Sequence, residues 1–328
     1  MKPVTVLAHP NIALAKYWGK REGEGNVPAV PSLSVTLSGL ATTTTVGFDP
    51  ALGSDELLLG GAAQQGRPLT RATELLDRVR AAAGISARAR VVSQNDFPTA
   101  SGLASSASGF AALALAATRA AGLDWPVTRV ADLARRSSAS AARSLFGGFA
   151  ELDGGEGSLG EARQVAPAEA FDLRVLVAVT SEEAKSVSST DGMLRTSRES
   201  PYYGGWLAEA PRIHARLRAA LLAGDFSVVG ELSERSALAM HASAMAAGVV
   251  FVSGATLAAL AEVKAMRASG TEAYATMDAG PHLKCLVRAA DAERARARLA
   301  MVPGVLRVLV AAPGEGAREI VAPAGGAS

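Results

Sequence analysis

Apolar positions recur with two different periods along this chain, and the two alternate. Short runs that alternate or are β-branched predict strands at residues 4–9, 33–38, 42–48 and 88–94, with an edge strand at 56–59. Helical spacing predicts helices at 67–83, closed by Gly84 as a C-cap, then at 110–121 and 126–136, with another beginning within 138–144. The second half predicts a buried strand at 173–180 and two long amphipathic helices within 201–246, broken near Gly224 and Asp225. A helix at 256–268 follows, then strands at 271–277, 282–287 and 305–311 around a helix at 291–300. This order of elements indicates an α+β architecture. The glycine-rich stretch at 153–160 is the expected boundary between an N-terminal nucleotide-binding domain, 1–160, and a C-terminal substrate domain, 161–328. From Pro313 the chain turns rich in Gly, Ala and Pro and is expected to fray.

Composition narrows the classes of function. With 328 residues, 49% of them hydrophobic, the chain can bury a substantial core. A formal charge of +2 without a basic block excludes nucleic acid as a partner. No run of eighteen apolar residues predicts a membrane span, and no basic segment leads into an apolar run as in a signal peptide. The lone Cys285 rules out an internal disulfide and fits a reducing, cytoplasmic setting. Between Leu283, Leu286 and Val287 it reads as core packing and not as a nucleophile. Lysine is scarce, six against 27 arginines, so the placement of Lys16, Lys20 and Lys185 inside motif segments is informative. A compact ammonium is not interchangeable with a guanidinium at a tight phosphate site.

The most informative segment is F-P-T-A-S-G-L-A-S-S-A-S-G, residues 97–109. Its small residues allow close backbone approach to a ligand, and the helix that follows presents its first-turn N–H groups there, an arrangement suited to a nucleotide's phosphates. It lacks both the Gly-Lys-Ser/Thr of a Walker loop and the G-x-G-x-x-G of a dinucleotide site. Taken alone, such a segment is more often a plain capped turn. Four further segments accompany it: N-I-A-L-A-K-Y-W-G-K-R (11–21), S-A-S-A-A-R-S-L-F-G-G-F (138–149), K-S-V-S-S-T-D-G-M (185–193) and M-D-A-G-P-H (277–282). Together, and in this order, they resemble the mevalonate diphosphate decarboxylase family of the superfamily that includes galactokinase, homoserine kinase, mevalonate kinase and phosphomevalonate kinase.

The resemblance implies the small-molecule kinase fold of that superfamily. Its N-terminal half is like the second domain of a small-subunit ribosomal protein, its C-terminal half is ferredoxin-like, and a central cleft separates them. It also implies ATP-dependent decarboxylation of mevalonate 5-diphosphate to isopentenyl diphosphate, with ATP and Mg²⁺, in a homodimer. By the same positional match, Asp278 acts as acid–base residue at the 3-hydroxyl and Lys16 compensates charge beside it. Arg143 grips the substrate carboxylate, for which a planar fork suits better than a lysine. Ser138 and Ser140 contact the substrate; Tyr17, Lys20, Ser189 and Thr190 form the diphosphate side. Ser93, Asn95, Gly102, Leu103, Ala104, Ser105, Ser106 and Ser108 hold ATP, while Lys185 frames its loop. From the residues alone, Asp278 is equally a turn cap, and the lesser alternative for Arg143 is a helix-surface arginine in an arginine-rich chain. Departures from the family pattern are His282 in place of a common Asn, Ala142 in place of a common Cys, and His9-Pro10. A kinase or decarboxylase acting on mevalonate 5-phosphate or mevalonate, and a catalytically silent binding protein, are the alternatives.

Overall fold

The computed structural model describes residues 1–23, 25–97, 105–183 and 187–321. The first half carries β1 (Val4–Ala8), β2 (Asn11–Ala15), β3 (Ser32–Thr36), β4 (Thr42–Asp49), β5 (Glu56–Leu59), β6 (Ala62–Ala63) and α1 (Arg67–Ala83). It continues with β7 (Arg88–Asn95), α2 (Ser105–Ala120), α3 (Val127–Ser137), α4 (Ala141–Ser144), β8 (Phe149–Leu152) and β9 (Ala162–Ala166). The second half carries β10 (Arg174–Val179), α5 (Ser189–Glu199), α6 (Tyr203–Leu222), α7 (Phe226–Ala246), α8 (Gly254–Ala268) and β11 (Tyr274–Met277). It ends with β12 (Leu283–Val287), α9 (Ala292–Ala300), β13 (Arg307–Ala311) and β14 (Arg318–Ile320).

Strand β4 buries alternate side chains, as its Thr/Val/Phe pattern requires, and sits inside a sheet ordered β14-β1-β4-β7-β5-β6. Its antiparallel register with β7 runs from Thr42↔Asn95 to Asp49↔Arg88, so β7 ends beside Thr42 just before residues 98–104 and α2. Helix α2 is a run of small side chains, and Ala111, Ala112, Ala114, Ala116 and Ala117 are all fully buried against the sheet. Val6, Val46 and Phe48 of the sheet meet Leu75, Leu76 and Val79 of α1 in the same core. A second sheet, β2-β3-β8-β9, and a third, β11-β12-β10-β13, share a core in which Ile12, Leu33 and Phe149 pack with Val175, Val177, Leu217 and Val229. Helices α8 and α9 cover the other face of the third sheet.

Several expected elements agree closely with the structure, including α1 with Gly84 in the left-handed conformation at its end. The break between α6 and α7 also falls as expected, with the Asp225 carboxylate capping α7 by accepting from the Val228 amide at 3.1 Å. The departures have physical reasons. Strand β2 was not expected because all five of its residues are buried, which erases the two-residue period. Helix α5 has a polar sequence and starts from its cap, where Ser188 accepts from the Asp191 amide. The glycine-rich stretch 153–160 is the connection of a hairpin, because β9 pairs with β8 beyond it (Leu152↔Ala162). Close packing explains Gly154, where a Cβ would sit 2.5 Å from the Val30 carbonyl, and positive φ explains Gly155, Gly157 and Gly160. The tail does not fray where it was expected to. Pro313 bridges to Leu37, and β14 pairs with β1 (Thr5↔Ile320), returning the chain to the first sheet. Residues 322–328 lie outside the described residues.

A buried carboxylate ties the two halves together. Glu151 of β8 accepts from Arg163 of β9 at 2.5 Å and from Arg218 of α6 at 3.2 Å, with His214 at 3.4 Å. Burial raises its carboxyl, but His214 and Arg163 outweigh that and hold it at about 2, below the ordinary 4.5. A depressed carboxyl contributes stability that is fully present above the unfolded value and is lost as pH falls towards the folded one. Glu151→Gln is therefore expected to destabilise the protein at pH 7 by about 1–3 kcal/mol and to flatten the loss of stability between pH 4.5 and 2. Denaturant unfolding across that pH range checks this, and an unchanged slope contradicts it.

Candidate functional site

A cavity of about 1190 Å³ opens between the halves, lined by the end of β2, β4, β7, α1, the start of α2 and the segment around α4 on one side. The start of α5, Met240 of α7 and Asp278 close the other side. Asp278 follows β11, at a tight turn where the Gly280 amide donates to the Asp278 carbonyl at 2.7 Å. The turn is fastened by Thr180, whose hydroxyl donates to the Pro281 carbonyl at 2.8 Å and whose amide donates to His282 Nδ1 at 3.3 Å. His282 is fully buried and braces the turn; it does not line the cavity.

The Asp278 carboxylate is bracketed. Lys16 Nζ, just past β2, donates to Oδ1 at 2.6 Å and to the Ala13 carbonyl at 2.8 Å, while Lys284 Nζ of β12 lies 3.1 Å from Oδ2. Both lysines are buried and Asp278 is about a quarter exposed, towards the cavity. Burial alone raises a carboxyl, but the two ammoniums outweigh it and hold Asp278 far below the usual range. Burial pushes Lys16 down to about 8 against the opposing pull of Asp278.

Arg143 of α4 is 2% exposed. Its Nε donates to Ser34 Oγ at 2.9 Å, Nη1 to Ser32 Oγ at 2.5 Å and Nη2 to Asn11 Oδ1 at 3.4 Å. Among the described residues no carboxylate forms an ion pair with it. Neutral partners fix the plane of the guanidinium and leave its charge uncompensated, and burial lowers it to about 10. A buried, uncompensated guanidinium is costly, so its natural counterpart is an anionic ligand. Of its five N–H groups three are engaged, leaving one on each terminal nitrogen, the pair that a carboxylate can accept in parallel.

The remaining substrate-side residues gather near Arg143. Ser138 and Ser140 have their hydroxyls 3.3 Å apart on the cavity wall. The Tyr17 hydroxyl is buried and, among the described residues, has no hydrogen-bond partner; burial also raises its pKa. Lys20 donates to Asn26 Oδ1 at 2.7 Å and to Thr190 Oγ1 at 3.4 Å, and Ser189 and Thr190 open the first turn of α5. That places helix amides and an ammonium at one end of the cavity, an arrangement for a phosphate. The backbone between Trp18 and Lys20 requires glycine: Gly19 has φ +103°, and a Cβ there would lie 2.1 Å from the Tyr203 oxygen.

At the other end, Ser93, Asn95, Ser105 and Ser106 line the wall. Thr44 and Ser93 share a 2.9 Å hydrogen bond, and the Thr42 hydroxyl donates to Asn95 Oδ1 at 2.6 Å. Ser108, expected to meet the nucleotide, is instead fully buried behind the wall, 2.6 Å from the Thr42 hydroxyl. Gly102, Leu103, Ala104 and Lys185 lie outside the described residues. Cys285 is buried in β12 with its thiol pushed up to about 12, which fits packing and not reactivity.

Sequence reasoning missed three groups. Lys284 stands alone in an apolar strand of a lysine-poor chain, a signal that was available. Asn11, Ser32 and Ser34 hold Arg143; their polar alternation within S-L-S-V-T was equally visible. Arg67 and Arg71 line the cavity from the first turns of α1, where a basic residue opposes the helix dipole. Arg71 lies 4.4 Å over the Phe110 ring and donates to the Ser137 carbonyl at 2.6 Å.

A cleft between two α/β halves, with basic groups at both ends and a bracketed carboxylate and a buried arginine in its wall, defines an enzyme acting on polyanionic small molecules. The family model of the diphosphomevalonate decarboxylase-like N-terminal domain matches residues 8–163, and that of the mevalonate 5-diphosphate decarboxylase C-terminal domain matches 175–304. The chain belongs to the diphosphomevalonate decarboxylase family. It is similar to a crystal structure of mevalonate diphosphate decarboxylase from Staphylococcus aureus, at 34% identity with 98% of each chain covered and a TM-score of 0.92. It is also similar to a solved structure described as MDDEF in complex with MVAPP, AMPPCP and magnesium, at 38% identity with 97% and 98% of the two chains covered and a TM-score of 0.90. A phosphomevalonate decarboxylase from Haloferax volcanii is 36% identical over 269 residues, covering 80% of this chain and 81% of that protein.

Proposed function

We propose that the protein catalyses ATP-dependent decarboxylation of mevalonate 5-diphosphate to isopentenyl diphosphate, ADP, phosphate and carbon dioxide, by phosphorylation of the 3-hydroxyl followed by loss of that phosphate. The observation that carries this reading is Arg143, a buried cation without a protein counter-charge, in one cavity with the lysine-bracketed Asp278.

Arg143 donates its two remaining N–H groups to the substrate carboxylate and fixes the carbon–carbon bond that must break. Asp278 meets the 3-hydroxyl. Because two ammoniums keep it charged, Asp278 is a weaker base than the sequence suggested, and its larger contribution is electrostatic. It orients the hydroxyl for transfer and then faces the positive charge that develops at carbon as the phosphate departs. Lys16, at about 8, offsets negative charge on the transferred phosphoryl group. Tyr17, Lys20 and the first turn of α5 hold the substrate's diphosphate, with Ser138 and Ser140 along its length. Ser93, Asn95, Ser105 and Ser106 receive ATP, and Arg67 and Arg71 add positive charge beside it.

Among the described residues no group of three His, Cys, Asp or Glu could cage a metal, and both oxygens of Asp278 face ammoniums. The donors present fit a Mg²⁺ held mainly by the nucleotide's phosphates, with the Ser105 and Ser106 hydroxyls as neutral oxygens at the wall. When bound, the ion neutralises phosphate charge during transfer. The same reading places the nucleotide mainly on the first half and the enzyme in the cytoplasm as a homodimer. No helix among the described residues is long and apolar enough to cross a membrane, and Cys285 is a free thiol. Light scattering tests the dimer.

The Haloferax relative supports a second reading, with mevalonate 5-phosphate as substrate. Rates on both substrates, for wild type and Lys20→Ala, separate the two. Losing the terminal phosphate leaves its donors unpaired at about 1–3 kcal/mol each, so wild type is expected to use the diphosphate at least about tenfold more efficiently. Lys20→Ala is expected to narrow that gap by harming the diphosphate more. A wild-type preference for the monophosphate selects the second reading.

A further inference from the structure

Lys284 is a buried cation that does not line the cavity. It stands on the central part of the third sheet, opposite Val177 of β10 and Thr276 of β11. Its neighbours along β12 alternate: Leu283, Cys285 and Val287 join the core under α8 and α9, whereas Leu286 joins the core shared with the second sheet. Lys284 shares the face of Leu286, so an ammonium stem is inserted into an apolar layer. The Nζ at its end reaches two oxygens, Asp278 Oδ2 at 3.1 Å and the His282 carbonyl at 3.5 Å. Burying a lysine for packing alone is unfavourable, because a methionine fills the same space without desolvating a charge.

We propose that Lys284 is a positioning residue for catalysis, which holds Asp278 from behind so that Lys16 is free to turn from Asp278 to the substrate. The inference rests on the function proposed above. Lys16 and Asp278 form a close pair at 2.6 Å, and both face the place where the 3-hydroxyl and transferred phosphoryl group must sit. With one lysine only, Lys16 could compensate the phosphoryl group only by abandoning Asp278. The carboxylate would then be left charged and unpaired in a partly buried site, and would take up a proton. The second lysine removes that conflict. It grips the other carboxylate oxygen, fixes the carboxylate plane, and stays in place when Lys16 moves.

The other groups facing Asp278 leave this assignment to Lys284. Arg143 of α4 is committed to Ser32, Ser34 and Asn11, and its free N–H groups belong to the substrate carboxylate in the reading above. His241 of α7 is held neutral by burial, pushed down to about 4, and brings no charge near pH 7. Lys284 also lowers Lys16, whose proton is correspondingly easier to release near pH 8.

The test is kcat for Lys284→Met and Lys284→Gln in the wild-type and Asp278→Asn backgrounds, with KM for both substrates and thermal midpoints measured alongside. The expected result is a fall in kcat of at least about tenfold at pH 7, with KM values within about twofold of wild type. In an Asp278→Asn background, Lys284→Met is expected to cost less than about twofold more, because its effect passes through Asp278. A folded variant with wild-type kcat, or one that loses activity equally with and without Asp278, overturns the proposal. A loss confined to thermal stability does so too. If Lys284→Met does not fold, Lys284→Gln decides by the same comparison. Failure of the functional reading itself is recognised separately, by absence of turnover in wild type.

Discussion

Asp278→Asn is expected to lower kcat by about 10²–10⁴ while substrate and nucleotide binding persist. The substitution keeps size and hydrogen-bonding shape. It removes the charge that faces the reacting carbon and the acceptor for the hydroxyl proton, both needed only as the transition state forms. Binding of the polyanionic substrate is expected to hold or tighten, because Lys16 and Lys284 lose their counter-charge. Calorimetry with substrate, beside steady-state rates, separates the two quantities. A variant with near wild-type turnover removes Asp278 from the chemistry; one that cannot bind substrate makes it a structural carboxylate.

The second large effect is expected at Arg143. Arg143→Lys keeps a positive charge and still loses about 10²–10⁴ in kcat/KM. Two charge-assisted hydrogen bonds, each worth about 1.5–3 kcal/mol, cannot be reproduced by an ammonium in one orientation. The change also withdraws the donors that meet Ser32 and Ser34. Those serines can rotate towards each other or towards water, so the fold is expected to survive, as circular dichroism can verify. Retention of most of the wild-type rate makes the arginine a structural residue.

Much of this was legible in the chain, for reasons particular to each element. Helix α1 carries a clear helical period and ends at Gly84, while α6 and α7 are delimited by the Gly224-Asp225 break. Asp278, Lys16 and Arg143 stood in motif segments, and the structure brings them to one cavity across 262 residues of sequence separation between Lys16 and Asp278. Other features depend on tertiary contact and carry little local signal. Strand β2 has no alternation because both faces are covered. Strand β14 looked like a tail and is ordered by the edge of β1. Ser108 shares its type and segment with Ser105 and Ser106, and only the phase of helix α2 turns it inward to Thr42. Lys284 was overlooked because its segment was read for its apolar period, although a lysine inside such a period is itself the anomaly.

Central to the mechanism is one active site that couples ATP cleavage to loss of the substrate's carboxylate. The most direct measurement incubates purified protein with ATP, Mg²⁺ and mevalonate 5-diphosphate labelled at the carboxylate, and quantifies every product by mass and label. The account predicts isopentenyl diphosphate, ADP, phosphate and labelled carbon dioxide in equal amounts, with none formed when ATP is omitted. ADP formed together with a stable 3-phosphorylated product that keeps its label, or no consumption of either substrate, contradicts it.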